Sequence, residues 1–189
     1  MGTKGEKTIE RIKNEAMTLF LEKGYKDVSM QDICYATGLS KGGLYRYFGS
    51  KSEILLALIG DERSIDVIGM IEDNKPAVEI LTLYLNEFFQ NMLMSEKSLA
   101  YALFEYASSE KECKLTTSSK NDALVWESLI SYGIKTGEFN NIDYRIVMNT
   151  LLFAYRGVRI WCRAVEIDEE IPESIIEAVK QLVIKKNRG

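Results

Sequence analysis

A chain of 189 residues, 46% hydrophobic and 28% charged with a formal net charge of −4, is long enough to bury roughly 70% of its unfolded surface. It contains no histidine, two prolines and three cysteines. The missing histidine excludes Ser-His-Asp and Cys-His nucleophiles, imidazole zinc sites and di-iron Glu-x-x-His bundles, so no catalytic residue, metal or cofactor is expected. Cys34, Cys113 and Cys162 lie too far apart for a CxxC motif and read as small hydrophobes in a reducing cytoplasm. The polar N-terminus lacks an apolar h-region, and no stretch approaches about 20 uncharged apolar residues. A soluble cytoplasmic chain without a membrane span is the expectation.

Apolar spacing near 3.6 residues recurs along the sequence, and alternating strand patterns are missing. The fold class is therefore all-α, with about nine helices. The first is expected from about Thr8 to Lys23, with Ile9, Ile12, Ala16, Leu19 and Phe20 on one stripe and Gly24 as C-cap. Ser29 and Asp32 make a capping-box-like start for a short helix ending at Thr37-Gly38, with Met30, Ile33 and Cys34 inward. Ser40 caps another short helix through Phe48. Ser50 and Glu53 open a long helix predicted over 52–72. Further helices are predicted over 77–93, 96–109, 117–135, 143–165 and 172–186, with Pro76 and Pro172 as first-turn prolines.

The two short helices have the length and spacing of a helix-turn-helix. At about 100° per residue, Leu44 and Phe48 face the core of the second, while Gly42, Gly43 and Arg46 point away and Tyr45 and Tyr47 flank them. Two exposed helical glycines cost roughly 1 kcal/mol each relative to alanine, which close approach of another backbone would explain. A helix in a DNA major groove fits: Lys41 and Arg46 reach phosphates and base edges, and the Tyr45 and Tyr47 hydroxyls contact phosphates. Ser29, Ser40 and Lys51 stand at helix N-termini, where free N–H groups favour an anion. Local packing of the tyrosines and solvation of the lysines remain open on composition alone. Charge separates along the chain: residues 1–51 hold 9 Lys/Arg against 6 Asp/Glu, and residues 52–189 hold 15 against 22. A basic head on an acidic body suits contact with a polyanion at one end.

The stretch Ile9–Ile59 resembles the DNA-binding domain of the TetR family of bacterial transcription regulators. The matching residues are Ala16-x-x-Leu19-Phe20, Gly24-Tyr25, Ser29-Met30-x-Asp32-Ile33, the run Gly38 to Phe48 (Gly-Leu-Ser-Lys-Gly-Gly-Leu-Tyr-Arg-Tyr-Phe) and Lys51. Cys34 departs from the small residue common in the family. The resemblance implies an N-terminal three-helix DNA-binding domain over 1–51, with its helix-turn-helix at about 29–48. It also implies a C-terminal effector-binding and dimerisation domain over 52–189, with 52–72 as connecting helix. The function so implied is a homodimeric regulator of double-stranded operator DNA, a repressor released from a palindromic operator by a small-molecule effector, and not an enzyme. Its DNA contacts would come from Ser29, Ser40, Lys41, Gly42, Gly43, Tyr45, Arg46, Tyr47 and Lys51.

For the effector pocket the candidates are Tyr84, Phe88, Met92, Tyr101, Phe104, Glu105, Trp126 and Phe153, against the plainer reading of an aromatic core. Glu87 or Glu105 pointing inward would favour a cation; Arg156, Arg159 and Arg163 would favour an anion. The apolar faces of the last two helices nominate Leu151, Val158, Trp161, Ile175, Val179 and Leu182 for a dimer interface. The alternatives are a helical interaction module that leaves DNA alone and a helical enzyme.

Overall fold

The computed structural model describes residues 4–59, 65–95, 98–109 and 116–186, without the side chains of 116–121. Cys113 lies outside them. Among the described residues there are ten α-helices and no strand, apart from an isolated antiparallel bridge between Phe139 and Ile184. The all-α expectation stands, with one helix more than counted from sequence. The chain divides into two compact units, 1–62 with 97–113, and 63–96 with 114–189.

The first unit holds α1 (Lys4–Lys23), α2 (Met30–Thr37), α3 (Lys41–Tyr45), α4 (Lys51–Leu58) and α7 (Ala100–Ser109). Ile12, Ala16 and Phe20 of α1 pack with Ile33, Leu44, Ile54 and Leu55, all at most 1% exposed. Local chemistry sets the boundaries. Gly24 ends α1 at φ +80° and Gly38 ends α2 at φ +64°, a left-handed conformation that costs any L side chain roughly 1–2 kcal/mol. Ser29 Oγ accepts the Asp32 N–H at 3.2 Å and Asp32 returns the bond to the Ser29 N–H at 2.8 Å, a full capping box. The Ser29 hydroxyl also donates to Asp32 Oδ2 at 2.5 Å, and this bond first, then the Ser29 N–H, hold the Asp32 carboxyl below its ordinary pKa. Helix α3 is shorter than expected: the Tyr47 and Phe48 N–H groups both turn back to the Leu44 carbonyl, at 2.9 and 3.2 Å.

Two departures concern the expected domain boundary at residue 51. The 52–72 helix is two helices, because α4 stops at Leu58 and Asp66 caps a new start, accepting the Gly69 N–H at 3.0 Å ahead of α5 (Val67–Glu72). Helix α7, assigned from sequence to the C-terminal domain, belongs to the first unit.

The second unit holds α5, α6 (Ala77–Leu93), α8 (Thr116–Thr136), α9 (Tyr144–Trp161) and α10 (Glu170–Val183) around one core that includes Leu81, Leu85, Trp126, Leu129, Leu151 and Val179. Pro76 stands at the N-cap of α6 and offers no side-chain cap. Glu138 supplies it from the α8–α9 connection, its two carboxylate oxygens accepting the Ala77 and Val78 N–H groups at 3.0 Å each. Partial burial pushes the Glu138 pKa upward, but the N–H groups of Val78 and Ala77 and the Thr136 hydroxyl outweigh it and hold the carboxyl below its ordinary 4.5.

Glu138→Ala is expected to cost about 1–2 kcal/mol. A folded pKa below the unfolded one means that the cap's contribution is present above about 4.5 and is lost as pH falls through the folded value. The stability gap between wild type and Glu138→Ala should therefore narrow on acidification below that point. Urea titrations at stepped pH measure it.

Candidate nucleic-acid interface

The site is a short helix raised on one buried residue. Leu44 is fully buried and anchors α3 in the first unit, so Lys41, Gly42, Tyr45 and Arg46, on the other side of the turn, are exposed. Ser40 sets the direction of α3 by accepting the Gly43 N–H at 3.1 Å. A Cβ built on Gly42 meets nothing within 4 Å. The chain's own packing therefore does not require glycine there. Gly43 is tighter, with Ser40 Oγ 3.2 Å from its would-be Cβ.

The cations of this surface lie on tyrosine rings. Lys41 Nζ is 5.9 Å from the Tyr45 centroid, and the Arg46 guanidinium is 5.0 Å from that of Tyr47 while donating to the Tyr47 hydroxyl at 2.8 Å. That bond, ahead of one involving Thr8, holds the phenol pKa below its ordinary 10.0. Tyr47 itself is half-buried.

An open groove of about 680 Å³ separates α2 from α3, with Cys34, Tyr35, Leu39, Lys41 and Tyr45 among its lining. Two residues of this surface went unremarked in the sequence. Tyr35 is 76% exposed, and its hydroxyl accepts from Gln31 Nε2 at 3.1 Å across one turn of α2. The signal was present: Gln31 and Tyr35 are four apart, on the face of α2 turned away from Ile33.

Lys51 is a correction. Its ammonium is committed to the turn between α1 and α2, donating to the carbonyls of Tyr25 at 2.6 Å, Val28 at 2.7 Å and Lys26 at 3.3 Å, over the Tyr25 ring at 4.2 Å. An ammonium has three donors, so the side chain shapes this turn and does not reach outward. Glu105 is a second correction. It stands in the first unit, where its Oε2 accepts the N–H of Tyr25 at 2.6 Å and of Lys26 at 3.2 Å. Tyr106, next to it, meets the Tyr25 ring edge-on at 5.3 Å. The turn that leads into the helix-turn-helix is thus held from α4 by its carbonyls and from α7 by its N–H groups.

The remaining pocket candidates do not gather in one place. Tyr101, Phe104 and Glu105 lie on α7 in the first unit, whereas Tyr84, Phe88, Met92 and Trp126 lie in the second. Phe153 is 72% exposed and cannot line an interior pocket of its own chain. Of the interface candidates, Leu151, Val158 and Val179 are buried in the second unit's core, while Trp161 and Leu182 are exposed and Ile175 is half-buried. Among the described residues no group of three or more His, Cys, Asp or Glu could hold a metal, and no helix is long and apolar enough to cross a membrane.

The model of the family described as bacterial regulatory proteins, tetR family, matches residues 12–58, which span α1 to α4. An HTH-type transcriptional regulator of Bacillus subtilis, YerO, itself uncharacterized, is 28% identical over 187 residues, covering 92% of this chain. Over these residues the chain is similar to the TetR family. It spans 64% of the length of YerO. Two solved structures share the fold of this chain. A TetR-family regulator of Syntrophomonas wolfei superposes with a TM-score of 0.72 at 23% identity, covering 95% of this chain and 96% of that one. NalD, the secondary repressor of the MexAB-OprM multidrug efflux pump in Pseudomonas aeruginosa, superposes with a TM-score of 0.66 at 21% identity, covering 96% and 98%.

Proposed function

We propose that this protein is a homodimeric transcription regulator that represses by binding palindromic operator DNA and is released by a small-molecule effector. The observation that carries the DNA-binding part is the outward face of α3: two cations, two tyrosines and a glycine for which the fold itself has no steric use, on a helix capped and anchored from behind. Lys41 and Arg46 reach phosphates and base edges, Gly42 and Gly43 admit the DNA backbone, and Tyr45, Tyr47, Ser40 and Ser29 contact phosphates. Gln31 and Tyr35 extend the same surface across the groove. Lys51 contributes indirectly, by fixing the turn before α2. NalD, which shares the fold, is a repressor, and repression is the activity proposed for this chain.

The dimer follows from the other end of the sequence. Helix α9 presents Ile146, Phe153 and Trp161, all more than half exposed, and α10 presents Ile171, Ile175, Ala178 and Leu182 at heptad-like spacing. Two such pairs of helices close into a four-helix bundle with two-fold symmetry. The sequence-stripe residues Leu151, Val158 and Val179 are replaced in this role by Ile146, Phe153 and Ile171.

Gly42→Ala separates DNA contact from folding by sign. Alanine should raise the stability of the free protein by about 0.5–1 kcal/mol, because a helical glycine is replaced where there is room, while weakening DNA binding. Thermal melts and mobility shifts on the protein's own upstream DNA read the two effects. A variant that melts higher and binds DNA as wild type would remove Gly42 from the interface. Wild-type binding should fall steeply between about 50 and 200 mM salt; affinity indifferent to salt would rule out the DNA-binding reading altogether.

A further inference from the structure

The effector proposed above has no stated chemistry, and the second unit supplies one. Tyr84, Phe88 and Trp126 pack as a ring cluster, with Tyr84 5.1 Å and Phe88 6.3 Å from the Trp126 centroid. Phe88 also meets Tyr155 of α9 edge-on at 5.0 Å. Both ends of this cluster carry a hydrogen-bond donor with nothing to bond. Trp126 is fully buried, and its indole Nε1 has no hydrogen-bond partner among the described residues. At the other end the Arg159 guanidinium lies 4.8 Å from the Tyr155 centroid and donates through Nη1 to the Tyr155 hydroxyl, while its buried Nε has no partner.

Buried polar atoms in native folds are almost always satisfied. Three that are not lie on α6, α8 and α9: Glu87 Oε2, an acceptor, and the Trp126 and Arg159 nitrogens, two donors of which one carries a permanent positive charge. Among the described residues no carboxylate forms an ion pair with Arg159. The acids considered from sequence do not fill the role. Glu105 is committed to the Tyr25 turn in the first unit, and Glu87, beside Phe88 in sequence, has interactions of its own, although its buried Oε2 accepts no hydrogen bond among the described residues.

We infer that the α6–α8–α9 cluster is the effector site, and that it takes a small organic acid: an apolar, aromatic body among Phe88, Trp126 and Tyr155, a carboxylate on Arg159, and a second acceptor, such as a carbonyl oxygen, on the Trp126 N–H. Charge-assisted bonds to a guanidinium and a neutral acceptor on indole are the pairings these donors favour. A cation is disfavoured by the same guanidinium. The inference rests on the regulator reading only for the word effector; binding itself can be measured without DNA.

The test is isothermal titration of the full chain with three probes sharing one benzophenone body: 4-benzoylbenzoate, the neutral 4-benzoylbenzamide and the cationic (4-benzoylbenzyl)trimethylammonium. The benzoate should bind one site per chain about tenfold or more tighter than the amide, with the cation weakest. Arg159→Gln should erase the benzoate's advantage and leave the amide's affinity in place. Trp126→Phe should weaken both benzoate and amide several-fold, on the order of one lost hydrogen bond. Arg159→Gln alone suffices if Trp126→Phe does not fold. Equal affinities, a preference for the cation, no binding by any probe, or an Arg159→Gln protein that keeps the benzoate's advantage would each overturn the assignment. A mobility shift on the same samples keeps the two readings apart. A protein that shifts its upstream DNA but ignores the acid refutes only the effector class, whereas failure to shift DNA refutes the regulator reading whatever the calorimeter shows.

Discussion

Replacing Gly133 by alanine should destabilise the second unit by about 3 kcal/mol, the range for overpacking a core or displacing a buried phenylalanine. A Cβ at Gly133 would sit 2.0 Å from Phe139 Cδ2 and 2.4 Å from two more atoms of that ring. The ring cannot simply retreat. Phe139 is 3% exposed, and its backbone is pinned on both sides, with Asn140 N–H donating to the Val183 carbonyl at 2.8 Å and Lys185 N–H to the Glu138 carbonyl at 2.9 Å. Moving the ring therefore pulls on the end of α10 and on the segment that carries the Glu138 cap of α6. Calorimetry should record a Tm lower by roughly 10 °C, and adding Phe139→Leu should recover part of it. A Gly133→Ala protein that melts within a degree of wild type would contradict the packing described here.

The double substitution Phe153→Glu with Trp161→Glu should convert the proposed dimer to a monomer without unfolding it. Both side chains are more than 60% exposed in the single chain, so neither belongs to its core. Aromatic anchors of this size carry a large share of interface energy, and a carboxylate in their place would be buried without a partner. The dimer dissociation constant should rise about a thousand-fold, which corresponds to roughly 4 kcal/mol. Sedimentation should then give the 21.5 kDa of one chain, with an unchanged helical spectrum. A wild-type protein already monomeric at micromolar concentration would refute the dimer, and a double variant that stays dimeric would move the interface elsewhere.

What the sequence revealed and what it concealed divide along the range of the interactions involved. The caps at Ser29, Ser40 and Ser50, the glycines at 24 and 38 and the inward stripe of α1 are decided within about four residues, and each is where the spacing put it. Lys51 and Glu105 are decided by partners 26 and 80 residues away. A lysine at a helix start and a glutamate between aromatics therefore carried no sign of their work on the Tyr25 turn. Helix α9 misled for another reason. It is apolar around much of its circumference, so the wheel could not tell core-facing Leu151 and Val158 from outward Phe153 and Trp161. Only the packing of α6, α8 and α10 against one side of it decides which residues are left bare. The break between α4 and α5 was legible, since Asp66 with Gly69 has cap spacing and the run Gly-Asp-Glu-Arg-Ser over 60–64 interrupts the apolar pattern.

The DNA-binding reading stands or falls on one selection experiment. Purified full-length protein is challenged with a pool of randomised duplex DNA at about 100 mM salt, where specific contacts must compete with the general attraction of phosphate. The enriched sequences should be two-fold symmetric, with half-sites about 34–36 Å apart centre to centre or a multiple of that, and Arg46→Ala should relax base preference within each half-site. A pool that emerges without enrichment, or with a single asymmetric site that Arg46→Ala leaves unchanged, would contradict the dimeric, α3-mediated recognition argued here.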